Sequence, residues 1–160
     1  MNPDLTCHLA PLDPEHPQAQ ALMALSEAYM GALYPAESNH FEPPSGLREP
    51  HGLFLGAWCG DALLGCGGVK FHAPQSVPAY GEIKRLFVLE QARGRGLAQQ
   101  LMAQLEAQLV ARGVGWARLE TGIHQPEAIG LYRRLGYAEC GPFGGYQPDP
   151  LSLFMEKRLA

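Results

Sequence analysis

Gly81-Glu82-Ile83-Lys84-Arg85-Leu86-Phe87-Val88-Leu89-Glu90-Gln91-Ala92-Arg93-Gly94-Arg95-Gly96-Leu97-Ala98 is the stretch on which the fold turns. Its first half is rich in β-branched and aromatic residues and reads as a strand. Two glycines flanked by arginines follow, and then Leu97, Leu101, Leu105 and Leu109 recur every fourth position among glutamines, a helical period. The chain therefore runs strand, glycine loop, helix N-terminus. The first N–H groups of a helix lack internal partners and sit at the positive end of the macrodipole. Glycines adopt positive φ and admit close approach of a ligand, so a phosphate or pyrophosphate is the natural guest. Arg93 and Arg95 add charge suited to phosphate oxygens. A Gly-x-Gly by itself reads first as a glycine-softened loop on a solvated face.

Three phosphate-binding patterns compete for this loop. A P-loop would place Lys-Ser or Lys-Thr after its glycines, whereas Gly96 is followed by Leu97-Ala98. A dinucleotide fingerprint needs a third small residue where Gln99 stands, although Glu120 lies near the expected ribose-binding distance. Gln91-Ala92-Arg93-Gly94-Arg95-Gly96 is similar to the Q/R-x-x-G-x-G/A signature of the GNAT superfamily of N-acetyltransferases.

At 160 residues the chain is expected to form one domain, 1–160, with a real core. Apolar content of 46% and charged content of 18% fit a globular protein, and the net charge of −4 argues against nucleic-acid binding. Cys7, Cys59, Cys66 and Cys140 form no C-x-x-C pair, and the six histidines are dispersed without H-E-x-x-H. Free thiols, no metal site and a reduced compartment are therefore expected. The N-terminus carries no signal-peptide pattern and no run is long and apolar enough to cross a bilayer, so a cytoplasmic location without membrane partners is expected.

Leu5 to Leu9 reads as a first strand, and Asp13-Pro14-Glu15 as the start of a helix over 14–33. Residues 34–51, with four prolines, read as an irregular binding loop or a plain surface loop. Gly52 to Trp58, Ala62 to Phe71 and residues 80–88 read as an antiparallel meander, the first turn at Cys59-Gly60-Asp61 and the second through Pro74 and Pro78. The Gly65-Cys66-Gly67-Gly68 cluster predicts a bulge in the middle strand. A helix over 94–112 crosses to a parallel strand at Trp116–Thr121, and a further helix opens at Pro126. Tyr137 to Cys140 and Leu151 to Lys157 close the chain as strands joined by a Gly- and Pro-rich loop.

This order, β-α-loop-β-β-β-α-β-α-β-β, resembles the GNAT fold: a mixed α/β (α+β) sheet with an antiparallel N-terminal meander and splayed central strands. Ala128-Ile129-Gly130-Leu131-Tyr132-Arg133-Arg134-Leu135-Gly136-Tyr137 is similar to the A-x-x-L-Y-x-x-x-G-F/Y pattern of the family's last helix. Leu119-Glu120-Thr121-Gly122, Pro142-Phe143-Gly144 with Tyr146, and Asp149-Pro150-Leu151-Ser152 resemble a subgroup of bacterial acetyltransferases of unassigned substrate. The resemblance implies acetyl-CoA as cosubstrate, with Leu86, Phe87 and Val88 pairing its pantetheine arm through their backbone. It implies that Gln91, Arg93, Gly94, Arg95, Gly96, Leu97 and Ala98 hold the pyrophosphate. Gln125 stands where many members carry Asn for a cofactor or substrate contact.

For the chemistry, the resemblance places Tyr132 beside the cofactor sulfur as general acid and Glu82 as general base, with Glu120 the second candidate. The bland alternatives are a core tyrosine, and for Glu82 a carboxylate at an exposed strand end or one paired with Lys84 or Arg85. Arg85, Glu120 and His124 are candidate substrate contacts, and Arg85 would suit a substrate carboxylate. The expected activity is transfer of an acetyl group from acetyl-CoA to a primary amine of a small molecule, peptide or protein, by direct attack in a ternary complex. The alternatives are a non-catalytic acyl-CoA sensor and a Rossmann-type oxidoreductase. A monomer and a homodimer both stay open.

Overall fold

The computed structural model describes residues 6–72 and 78–159; the expected strand start at Leu5 and the turn at Pro74 lie outside them. In chain order the elements are β1 (Cys7–Pro11), α1 (Pro17–Leu33), β2 (Gly52–Cys59), β3 (Ala62–His72), β4 (Tyr80–Val88), α2 (Leu97–Ala111), β5 (Trp116–Gly122), α3 (Pro126–Arg134), β6 (Ala138–Cys140) and β7 (Ser152–Arg158). The strands form one sheet in the order β1-β2-β3-β4-β5-β7-β6. β1 to β4 meander antiparallel, while β4 and β5 run parallel. A parallel pair needs a long crossover, and α2 supplies it.

The leucine repeat of α2 is its buried stripe. Leu97, Leu101, Leu105 and Leu109 are at most 3% exposed and join Val69, Ile83 and Leu119 in the larger core cluster. Ala19, Leu22 and Met23 of α1 pack with Phe54 and Cys66 in a second cluster. Phe54 and Leu55 are adjacent in β2 and so point to opposite faces, and they fall in different clusters. The sheet is thus covered on both sides.

α1 begins later than expected. A helix from Pro14 would need an N–H from Pro17 to close its first turn, and proline has none. Asp13 Oδ1 instead accepts from Glu15 N at 2.9 Å in a preceding turn, and His16 Nδ1 caps the helix by accepting from Gln18 N at 3.1 Å.

Two irregularities shape the site. β4 pairs with β5 only at Gly81–Ala117 and Glu82–Arg118, beyond which the strands part. The expected bulge near Gly65–Gly68 is present, but its extra residue sits on β4: Arg85 and Leu86 together oppose Gly67. Arg85 takes φ +60°, the one positive φ outside glycine among the described residues.

The expectation of four free thiols is corrected. Cys7 and Cys59 face each other in the β1–β2 register and are disulfide-bonded, leaving Cys66 and Cys140 free. A separation of 52 residues hides a pair that only antiparallel pairing creates. No helix among the described residues is long and apolar enough to cross a membrane.

Candidate active site

The glycine loop ends at the start of α2. Gly94 and Gly96 take φ of +82° and +76°, and Gly96 is the N-cap residue with no side-chain cap. A Cβ at Gly94 would meet nothing within 4 Å, and at Gly96 only Gln100 Nε2 at 3.9 Å. Glycine is therefore required by the backbone angle and not by lack of room. The amides of Leu97, Ala98 and Gln99 have no intrahelical carbonyl. They border a groove of about 580 Å³ whose other wall is Pro126, Ala128 and Leu131 of α3. Arg93 lines it too, its Nε held by Val88 O at 3.2 Å. Gln91 and Arg95 do not line it. Free amides, positive-φ glycines and a neighbouring guanidinium make a donor set fitted to a diphosphate.

A second, smaller cavity of about 110 Å³ lies where β4 and β5 diverge. Ile83, Lys84, Arg85 and Leu86 of β4, Glu120, Thr121 and Gly122 of β5, and residues 38–42 of the proline-rich segment enclose it. Met30, Leu86, Gln125 and Tyr132 line both spaces, so groove and cavity meet at these four side chains. Past Glu82 the β5-facing edge of β4 has no paired strand, which leaves the backbone of Leu86 to Val88 available to an extended guest.

The two candidate carboxylates differ sharply. Glu82 is 5% exposed and lies outside the small cavity's lining. His72 Nε2 donates to its Oε1 at 3.0 Å and Tyr146 Oη to its Oε2 at 2.5 Å, with Lys84 Nζ at 3.4 Å. Burial pushes its pKa up, but the His72 bond, the Lys84 charge and the Tyr146 bond outweigh it, and the net shift is downward. Glu120 lines the cavity, accepts from Ser152 Oγ at 2.8 Å, and enters no ion pair among those of the described residues. Its pKa is raised, chiefly by burial.

Tyr132 is 7% exposed at the junction, and burial, then the Glu120 charge, push its phenol well above the ordinary value. Gln125 Oε1 accepts from Gly122 N at 3.1 Å and from Tyr34 Oη at 3.4 Å. The side chain of His124 lines neither space: its ring stacks on Tyr34 at 5.5 Å, and its backbone N–H donates to Tyr34 Oη at 3.0 Å. Tyr34 is a cavity residue that sequence reasoning missed. It sits at the C-cap of α1 before a proline, where nothing local signals that it packs on Gly122 and His124. The proline-rich segment had been legible only as a loop, and it roofs the cavity.

Residues 19–137 match the family model described as acetyltransferase (GNAT) family. A relative from Azospirillum brasilense, named IAA acetyltransferase, is 44% identical over 148 residues, covering 91% of this chain and 95% of its own. An acyl-CoA N-acyltransferase structure from Klebsiella pneumoniae superposes with a TM-score of 0.80 at 35% identity, over 97% of this chain and 99% of that one. An aminoglycoside 6'-N-acetyltransferase complexed with coenzyme A shares the fold, with a TM-score of 0.71 at 19% identity over 96% and 97%.

Proposed function

The chain belongs to the GNAT family of acetyltransferases, and from that premise we propose that it moves an acetyl group from acetyl-CoA to a primary amine. The acceptor is a small molecule or peptide amine, attacking directly in a ternary complex. The observation that carries this reading is the meeting of the diphosphate-suited groove and the small cavity at Leu86 and Tyr132. A solved member of the fold is complexed with coenzyme A, in keeping with acetyl-CoA as cosubstrate here.

In this reading the amides of Leu97 to Gln99, with Arg93, hold the diphosphate. The unpaired edge of β4 aligns the extended arm, and a backbone N–H near Leu86 donates to the thioester oxygen as charge builds there. A fixed donor of that kind lowers a barrier by roughly 3–4 kcal/mol. Glu120 takes the amine's proton; a carboxylate with raised pKa at the cavity wall is better matched to that task than Glu82, whose oxygens are already engaged. Tyr132 gives its proton to the departing thiolate. The two steps are coupled by charge: once Glu120 is neutral, one of the two causes that raise the Tyr132 pKa is gone. The acid is thereby strengthened when it is needed.

The test is a screen of amines, polyamines, amino acids, aminoglycosides and peptides with acetyl-CoA, reading free thiol and acetylated product by mass. Glu120→Gln should lower kcat/KM by roughly 10²- to 10⁴-fold with calorimetric affinity for acetyl-CoA retained. Acetyl-CoA binding without acetylation of any amine would refute the reading and leave a binding module.

A further inference from the structure

Resting on the proposed acetylation of an amine, the charges around the small cavity say more about the acceptor. Most are already matched. Lys84 Nζ donates to His40 O at 3.0 Å and to Tyr146 Oη at 2.9 Å and lies beside Glu82. Glu42 pairs with Lys70 at 2.8 Å. Arg85 is different. Its Nη2 meets Glu27 at 2.8 Å, its Nε donates to Glu42 O at 3.3 Å, and its guanidinium lies 5.0 Å over the Phe41 ring. Its Nη1 is buried with no hydrogen-bond partner among the described residues, on a side chain only 8% exposed.

A buried charged donor without an acceptor is costly and rare in a folded chain. Arg85 is also the residue held at φ +60° by the bulge, a conformation that disfavours any side chain. That bulge brings four successive residues, Ile83 to Leu86, onto one cavity, where regular strand alternation would have sent every second side chain away. α1, through Glu27, and the proline-rich segment, through Phe41 and Glu42, clamp the guanidinium in place. Across the same cavity stands Glu120, a carboxylate outside every ion pair of the described residues.

We propose that the acceptor is a small amino carboxylate, its carboxylate bonded by Arg85 Nη1 and its ammonium directed at Glu120. A guest of this kind supplies the acceptor that Nη1 lacks and the cation that Glu120 lacks.

The experiment compares kcat/KM on matched acceptors with and without the carboxylate: phenylalanine against phenethylamine, leucine against isopentylamine, lysine against cadaverine. The wild-type protein should favour the carboxylate-bearing member of each pair. Arg85→Gln should lower that preference by roughly 10- to 100-fold, the range of one charge-assisted hydrogen bond, chiefly through KM. Glu27→Gln keeps Arg85 and removes its ion-pair partner; it should lower KM for the carboxylate acceptors, and it remains informative if Arg85→Gln fails to fold. Equal preference in wild type and both variants, or a wild type that favours the decarboxylated amines, overturns the proposal. If no amine at all is acetylated, the acetylation reading has failed; calorimetric titration of phenylalanine against phenethylamine into protein loaded with acetyl-CoA then decides the Arg85 contact separately. Tighter binding of phenylalanine, lost in Arg85→Gln, supports it, and indifference overturns it.

Discussion

Gly96→Ala tests the loop on which coenzyme binding depends. Residue 96 sits at φ +76°, and a Cβ there meets only Gln100 Nε2 at 3.9 Å, so the substitution introduces no clash with a neighbour. What it adds is the local conflict of an L side chain in the left-handed region, about 1–2 kcal/mol. Stiffening of the unfolded chain offsets roughly 0.4–1 kcal/mol of that. The net is about 1 kcal/mol, or about a fivefold change in an equilibrium constant. If the loop keeps its shape, unfolding free energy falls by that amount. If the loop relaxes, the first-turn amides lose their common aim and coenzyme A affinity falls instead. The two losses, from urea unfolding and from calorimetry on the same samples, should sum to about 1 kcal/mol. Gly96→Asn should recover most of it, because asparagine tolerates this region and caps a helix. Gly130→Ala, inside α3 with only Arg134 Nη1 at 3.3 Å, should stabilise by roughly 0.5–1 kcal/mol and serves as the control. A Gly96→Ala protein equal to wild type in both measurements, or an asparagine variant worse than the alanine one, would refute the reasoning.

Glu82 and Glu120 should respond to pH with opposite signs. The folded pKa of Glu82 is depressed, so its contribution is present above the unfolded value of about 4.3 and is lost as pH falls through the lower folded value. Glu82→Gln should therefore cost about 3 kcal/mol at neutral pH, a loss that shrinks in acid, as urea titrations at several pH values will show. The folded pKa of Glu120 is raised, so its contribution is complete below about 4.3 and is lost as pH rises through the folded value. Glu120→Gln should be at least as stable as wild type at pH 8 while being the weaker catalyst; a clear loss of stability there would sink the assignment of an unpaired, desolvated carboxylate. Gly122→Ala would put a Cβ 1.9 Å from Tyr34 Oη and 2.1 Å from Cζ, where ordinary contact begins at 3.4 Å. Tyr34 must swing out and lose its bonds to His124 and Gln125, at about 2–4 kcal/mol. Because that loss runs through the ring, adding Gly122→Ala to Tyr34→Ala should cost almost nothing more, and additive losses would show that the ring is not the obstacle. Tyr132→Phe should lower kcat by about 10²-fold or more without weakening acetyl-CoA binding in calorimetry; unchanged turnover would remove it as the acid.

The order of elements, the α2 stripe and the loop between Ala92 and Leu97 were legible in the residues because each is written in consecutive positions. A four-residue leucine repeat makes a helix face whatever surrounds it, and two glycines before that repeat announce a turn at its start. The parting of β4 from β5 was legible only through family resemblance. Nothing in Gly81 to Val88 states where pairing stops, since that depends on what β5 does after Arg118.

The site's chemistry was settled elsewhere. Glu82 and Glu120 are the same residue type on neighbouring strands, and their pKa values move apart because His72, Lys84 and Tyr146 surround one and only Ser152 bonds the other. Arg85 has an unfilled donor because a bulge, a helix glutamate and a loop aromatic converge on it from three parts of the chain. Cys7 and Cys59 were paired by strand register across 52 residues. By itself, then, the sequence determined what the backbone does locally, because conformational preference and periodicity act between near neighbours. Which carboxylate is desolvated, which guanidinium lacks a partner and which thiols meet were decided by the tertiary structure, because burial, charge and covalent pairing belong to groups that only folding brings together.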